Sequence, residues 1–189
     1  MKRLILAVMA ITLMAAPMAN AQKVNKAAIV AKLDKADADS KDAKKGSKAA
    51  TWIARGNAYY EAASAPVSAL FVGMEEAMIT LTIGRADAQN ANVQLNGKVF
   101  TEHVYPWVKI YTADGKVATW IVTQTVKEGD LAGEAVASFK KAYELDAKQA
   151  AKVGDGLAKV ENYYSTMGNV CLDAGMAADA AKYYMSAYA

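Results

Sequence analysis

The spacing of apolar positions divides the chain into three stretches. From residue 26 to about 63 the period is helical. Ile29, Val30 and Leu33 fall inside a predicted helix over 26–40, with Asn25 placed to cap it. The polar run DSKDAKKGSK (39–48) reads as a loop, and a second helix is predicted over 48–63. Trp52, Gly56 and Tyr59 stand at i, i+4 and i+7 on one face of that helix. Glycine inside a helix costs about 1 kcal/mol relative to alanine. Its presence there predicts that another element packs close against it. ASAPVS breaks the helix. GMEEAMITLTIG (73–84) fits a short helix with Met74, Met78 and Leu81 on one face, but its TLTI also alternates like a strand.

The period then changes to two. Residues 92–126 are rich in Val, Ile, Thr, Tyr and Trp, and contain Asn96-Gly97 and Asp114-Gly115. These dipeptides are strong hairpin signals, so four short antiparallel strands in two hairpins are predicted. A two-residue turn at Asp114-Gly115 would set Val108 opposite Ile121. One face would then carry Val104, Val108, Ile110 and Ile121, and the other Tyr105, Trp107, Tyr111 and Trp120. After Lys127 to Asp130 the helical period returns and holds to the end of the chain.

Two small–large–small stripes follow. Ala135, Phe139 and Ala142 stand at i, i+4 and i+7, as do Ala180, Tyr184 and Ala187. Each suits a partner helix with a central glycine. W-x2-R-G-x2-Y at 52–59 with A-x3-F-x2-A at 135–142 resembles helices A and B of a tetratricopeptide repeat. Tyr164, Gly168 and Cys171, the bend at Gly175, and the stripe from Ala180 resemble a second, uninterrupted repeat. The family spacing from glycine to first alanine is 12, which 168 to 180 matches; 56 to 135 is 79, so 67 residues stand inserted. Arg55 replaces the usual leucine, Ala147 the usual proline, and about eleven extra residues near 150–160 precede the second repeat. Within the insert, Gly73-Met74, Leu81, Gly84 and VKIYTADGKVATW resemble small envelope modules of the β-barrel-assembly lipoprotein type, with Ala86 where those carry proline.

The resemblance implies a mainly α fold, antiparallel helix pairs with an inserted four-stranded antiparallel β segment, α+β overall. The expected divisions are a leader over 1–21, N-terminal helices over 22–63, the insert over 64–130, and the remaining repeat helices over 131–189. It also implies an interaction scaffold that binds a protein or peptide. Asparagine follows the motif glycine in both repeats (Asn57, Asn169), at a position that faces the groove in this family. Tyr60 and Leu172 lie three residues on, and all four are candidate peptide contacts. Ile53 and Ser165 stand where carboxylate-clamp members carry lysine, which argues against capture of a terminal carboxylate. The last helix stops at position 29 of its repeat, where a solenoid would need further chain or a partner to cover it.

Composition adds the compartment. Met1-Lys2-Arg3, an apolar run over 4–14 and Ala19-Asn20-Ala21 make a secretory leader with cleavage after Ala21. The apolar run is too short to span a bilayer, which needs about 20 residues. Position 22 is Gln, not the cysteine a lipid anchor needs. The expected location is the periplasm or outer membrane of a Gram-negative bacterium, without lipid anchor or transmembrane segment after cleavage. The chain of 189 residues carries net charge +3, and removing Lys2 and Arg3 leaves +1. That balance excludes a nucleic-acid partner.

Catalytic and metal chemistry find little footing in the sequence. His103 is the only histidine and Cys171 the only cysteine, the latter on a helical apolar stripe. DADSKD (37–42) starts like a calcium loop, but Asp42 and Lys48 occupy the turn-glycine and bidentate-glutamate positions. GDG (154–156) lacks the rest of a phosphate fingerprint. The chain therefore reads as a non-enzyme with no cofactor or metal. The alternative to a peptide scaffold is a glycan-binding module using the sheet face of Tyr105, Trp107, Tyr111 and Trp120. Exposure of Trp107 and Trp120 separates the two.

Overall fold

The computed structural model describes residues 24–188, so the expected leader and its expected cleavage site lie outside the described residues. Among these residues six α-helices accompany one four-stranded antiparallel sheet, an α+β architecture. The helices are α1 (Lys26–Lys41), α2 (Ala49–Ser64), α3 (Glu76–Ile83), α4 (Leu131–Leu145), α5 (Ala150–Asp173) and α6 (Ala177–Ala187). The strands β1 (Ala88–Leu95), β2 (Lys98–Val104), β3 (Val108–Ala113) and β4 (Lys116–Val122) pair as a meander in chain order. No helix among the described residues is long and apolar enough to cross a membrane.

Local chemistry explains most boundaries. Asn25 Oδ1 accepts the Ala28 N–H at 3.1 Å and starts α1. Asp130 does the same for α4, accepting the Gly133 N–H at 2.8 Å. Helix α5 ends in a Schellman motif: Met176 N–H reaches Cys171 O, Gly175 N–H reaches Leu172 O, and Gly175 takes φ +79°. The two hairpin turns bend at Asn96-Gly97 and Asp114-Gly115, both residues of each pair having positive φ. The TLTI segment is helical, not extended. Its start is pinned to the β3–β4 hairpin, with Gly73 N–H on Val117 O and Glu76 N–H on Gly115 O.

Helices α2 and α4 pack together although the sheet lies between them in the chain. A β-carbon built on Gly56 would fall 2.8 Å from the Phe139 ring, and one on Gly156 only 2.4 Å from it. Phe139 of α4 is therefore held between the backbones of α2 and α5. The extra residues of 150–160 are the first turns of α5, and Gly156 is what lets α5 approach. Gly154 has nothing within 4 Å of a built β-carbon, and no contact explains it. The same device recurs between α5 and α6, where a β-carbon built on Gly168 would fall 2.6 Å from the Tyr184 ring.

Two clusters form the interior. The first joins Leu33 of α1, alanines of α2 and α4, Phe139, and Val153, Val160 and Tyr164 of α5. The second joins Val67, Leu70, Met74 and Ile79 to the sheet residues Tyr105, Val108, Ile110, Val117 and Trp120, with Met167 and Val170 from the later turns of α5. Helix α5 thus runs through both clusters. Thr119 Oγ1 adds a buried bond at 2.6 Å to Val170 O.

The expected strand register is corrected. Ala113 pairs with Lys116 and Thr112 with Val117, as a two-residue turn requires. Ala118 then bulges, so Tyr111 pairs with Thr119, Ile110 with Trp120 and Val108 with Val122. One extra residue turns Trp120 onto the Val108–Ile110 face. Strand β1 also begins at Ala88, four residues before the period-two stretch, because its first residues form a polar, exposed edge.

Candidate functional site

The aromatic ligand face does not exist as a surface. Trp120 is 1% exposed, and Tyr105 packs with it in the second cluster. Tyr111 is buried on the opposite face, edge-on to Phe100 at 6.1 Å, with its hydroxyl donating to Glu102 at 2.9 Å. Burial and the Glu102 bond push the Tyr111 phenol up to about 12. Trp107, in the β2–β3 connection, is half-buried. The Ala118 bulge sets Trp120 on the Ile110 face, away from Tyr111, and that face packs into the second cluster with Met167 and Val170 of α5.

The four candidate groove residues fall on two helices. Asn57 stands exposed on α2, and Tyr60 is half-buried against the helical cluster. Leu172 is 51% exposed near the end of α5. Asn169 Oδ1 accepts the Tyr184 hydroxyl at 2.6 Å, so part of its amide is already used in holding α6. None of the four lines the cleft described next.

A cleft of about 320 Å³ opens where the α5–α6 hairpin meets β4. Its floor is Trp120, Tyr164, Met167 and Cys171, all buried. Its rim carries Asp130, Asp179, Lys182 and Ser186, with Tyr183 between rim and floor. On α6 the spacing 179, 182, 183, 186 puts all four residues on one face. Lys182 Nζ is paired with Asp179 at 3.0 Å. Tyr164 OH points to Asp130 Oδ1 at 3.4 Å, and its ring lies 6.3 Å from that of Tyr183. A smaller hollow behind Asp130, bounded by Ala62, Thr125 and Tyr163, shares Asp130, Tyr164 and Tyr183 with the cleft.

The titratable groups of the cleft are shifted by burial first and by its carboxylates second. Burial pushes the Tyr164 phenol up, and the Asp130 carboxylate adds to it. Burial also raises Tyr183, helped by Cys171, Asp179 and Asp130. The Cys171 thiol is raised by burial and then by Asp179. All three groups stay protonated at neutral pH, offering hydroxyl donors, ring faces and sulfur rather than a nucleophile. The buried Trp120 indole N–H has no hydrogen-bond acceptor among the described residues.

The lone histidine sits elsewhere. His103 Nε2 lies 3.1 Å from Thr112 Oγ1 and 3.5 Å from Glu76 Oε1. Both contacts fall on the same ring nitrogen, so this group lacks the base-and-orienter geometry of a relay. A polar hollow beside it is lined by Arg85, Asp87 and Gln89. No group of three or more His, Cys, Asp or Glu among the described residues is arranged to hold a metal ion.

Arg55, one of the departures from the expected repeat pattern, is a half-buried cross-link. Its Nε donates to Asp37 Oδ1 at 2.8 Å, Nη1 to Ser138 Oγ at 2.7 Å and Nη2 to Glu134 Oε2 at 2.8 Å. The guanidinium also lies 4.4 Å from the Tyr59 ring centroid. One side chain so ties α1, α2 and α4. The chain matches no known protein family, no curated protein and no solved structure.

Proposed function

We propose that this protein is an exported scaffold of tetratricopeptide-like helix pairs that binds a protein or peptide partner in the cell envelope. The observation that carries the reading is the cleft between the α5–α6 hairpin and β4. It has an apolar, aromatic floor and a charged rim, the composition of a site that buries an anchor side chain and orients it with a few polar groups. The helix pairing is supported by its repetition: Gly56 against Phe139 and Gly168 against Tyr184 are the same small-against-ring contact at equivalent positions. Export is supported by the three-part leader in the sequence. A glycan-binding sheet face has lost its support, since Trp120, Tyr105 and Tyr111 are buried.

The test is a peptide array of varied charge and hydropathy probed with the full chain. Capture should be lost on Tyr183→Ala and retained on Asn57→Ala, which touches neither α6 nor the cleft lining. The opposite pattern would move the site to the face of α2 that carries Asn57, and no capture at all would overturn the scaffold reading.

A further inference from the structure

The cleft has a chemical preference, and its charges give the direction. Of the three ionisable rim residues two are carboxylates, Asp130 and Asp179. The single ammonium, Lys182, is already paired with Asp179. Asp130 accepts the Gly133 N–H at 2.8 Å and the Tyr164 hydroxyl at a long 3.4 Å. A carboxylate has about four acceptor sites, so Asp130 keeps capacity for a strong donor. Below it the walls are ring faces and sulfur: Trp120, Tyr164, Tyr183, Met167, Met176 and Cys171. Aromatic faces attract cations electrostatically, and thioethers adapt to a methylene stem. Burial raises the neighbouring phenols and thiol, and the Asp130 and Asp179 carboxylates add to it.

We propose that the α5–α6 cleft holds an organic cation, a primary ammonium or guanidinium on a methylene stem, with Asp130 taking the charge. The stem lies along the Tyr164 and Tyr183 rings. A lysine or arginine side chain of a peptide fits this chemistry, and so does a free diamine. The proposal rests on the binding reading above, and sharpens it by naming what the cleft accepts.

The probes are Nα-acetyl-lysine methylamide, its uncharged norleucine counterpart, the glutamate counterpart, and 1,5-diaminopentane. Each is titrated into the full chain while the Trp120 indole N–H resonance is followed by NMR. The lysine probe should bind about tenfold or more tightly than norleucine, the value of one charge-assisted hydrogen bond. Asp130→Asn keeps a good helix cap and should abolish that difference. Lys182→Gln removes a competing cation, should tighten the lysine probe severalfold, and keeps the proposal testable if the Asp130 variant fails to fold. Added salt should weaken binding, since the rim is exposed to screening. Equal binding of lysine and norleucine overturns the proposal. So does tighter binding of glutamate, which the unpartnered Trp120 N–H would suit. Preference for the blocked lysine over the diamine assigns the source to a peptide, and the reverse preference to a free polyamine; either order supports the cation class. On the peptide array, capture of acidic or neutral sequences alone would remove the cation inference and leave the scaffold. Diamine binding without any peptide capture would do the reverse.

Discussion

Around Phe139 the interior is rich in alanine and glycine; around Trp120 every buried residue is larger. The helical cluster buries Ala49, Ala58, Ala62, Ala132, Ala135 and Ala142, with glycine facing the ring from two helices. The buried members of the sheet cluster are Val, Leu, Ile, Met, Tyr and Trp, with no alanine. The first brings backbones together and lets one ring fill the space left. The second keeps layers apart and fills the gap with side-chain volume. The two should therefore fail in opposite directions, one on gaining atoms and the other on losing them.

Trp120→Ala should give the largest effect, about 3–5 kcal/mol lost in chemical denaturation, because its volume lies in the middle of the large-residue cluster. A loss under about 1 kcal/mol would mean that the sheet cluster collapses easily and the contrast fails. Arg55→Leu, the residue usual at this position in tetratricopeptide repeats, should cost about 2–3 kcal/mol, since it removes three charge-assisted bonds and leaves the half-buried Asp37 with only Tyr59 and Lys127. Arg55→Lys should recover only part of this, because an ammonium cannot span Asp37, Ser138 and Glu134 together. Gly156→Ala should cost about 1–2 kcal/mol despite alanine's better helix propensity, since the added methyl meets a ring that Gly56 prevents from retreating. Phe139→Leu in the same chain should offset much of that loss, and strict additivity of the two changes would separate the ring from the glycine.

The smallest effect is acid sensitivity. Burial raises Asp37, but bonds from Tyr59 and Arg55 outweigh it and hold its carboxyl below the ordinary 3.8. Burial likewise raises Glu102, and bonds from Asn90, Lys109 and Tyr111 bring it below 4.5. Carboxyls with depressed folded values stabilise the fold above their unfolded values, and that contribution is lost as pH falls through the folded ones. Thermal midpoints should be flat down to about pH 5, where both groups remain ionised in either state, and drop below about pH 4. Asp37→Asn should reduce that drop, and a midpoint that rises on acidification would contradict the bonding described.

The sequence made the helices and hairpin turns readable because their signals are local. Apolar period, Asn25 and Gly175 are local features, and Asn96-Gly97 and Asp114-Gly115 require left-handed backbone at their own positions. The contact of Gly56 with Phe139 was readable across 83 residues because each side carried a complementary stripe. The Ala118 bulge was not: nothing in KVATW marks the extra residue, and one residue decides which face Trp120 takes. The cleft was hidden for another reason. Asp179, Lys182 and Ser186 look like an ordinary solvated helix face until β4 is laid against them, and that juxtaposition is set by tertiary packing. Gly156 was within reach, since glycine inside an alanine-rich helix is the same signal that marked Gly56.

The Phe139 ring has a consequence for motion. An aromatic ring in an ordinary core reverses its two edges by half-turns that need only brief gaps between side chains. Here the space on either side is bounded by main chain, from α2 and from α5, and main chain cannot step aside one rotamer at a time. A half-turn of Phe139 requires three helices to part together. Ring reversal at this position should therefore be slow enough to resolve separate signals for the two ring edges. Its rate would serve as a clock for the concerted opening of the helical body.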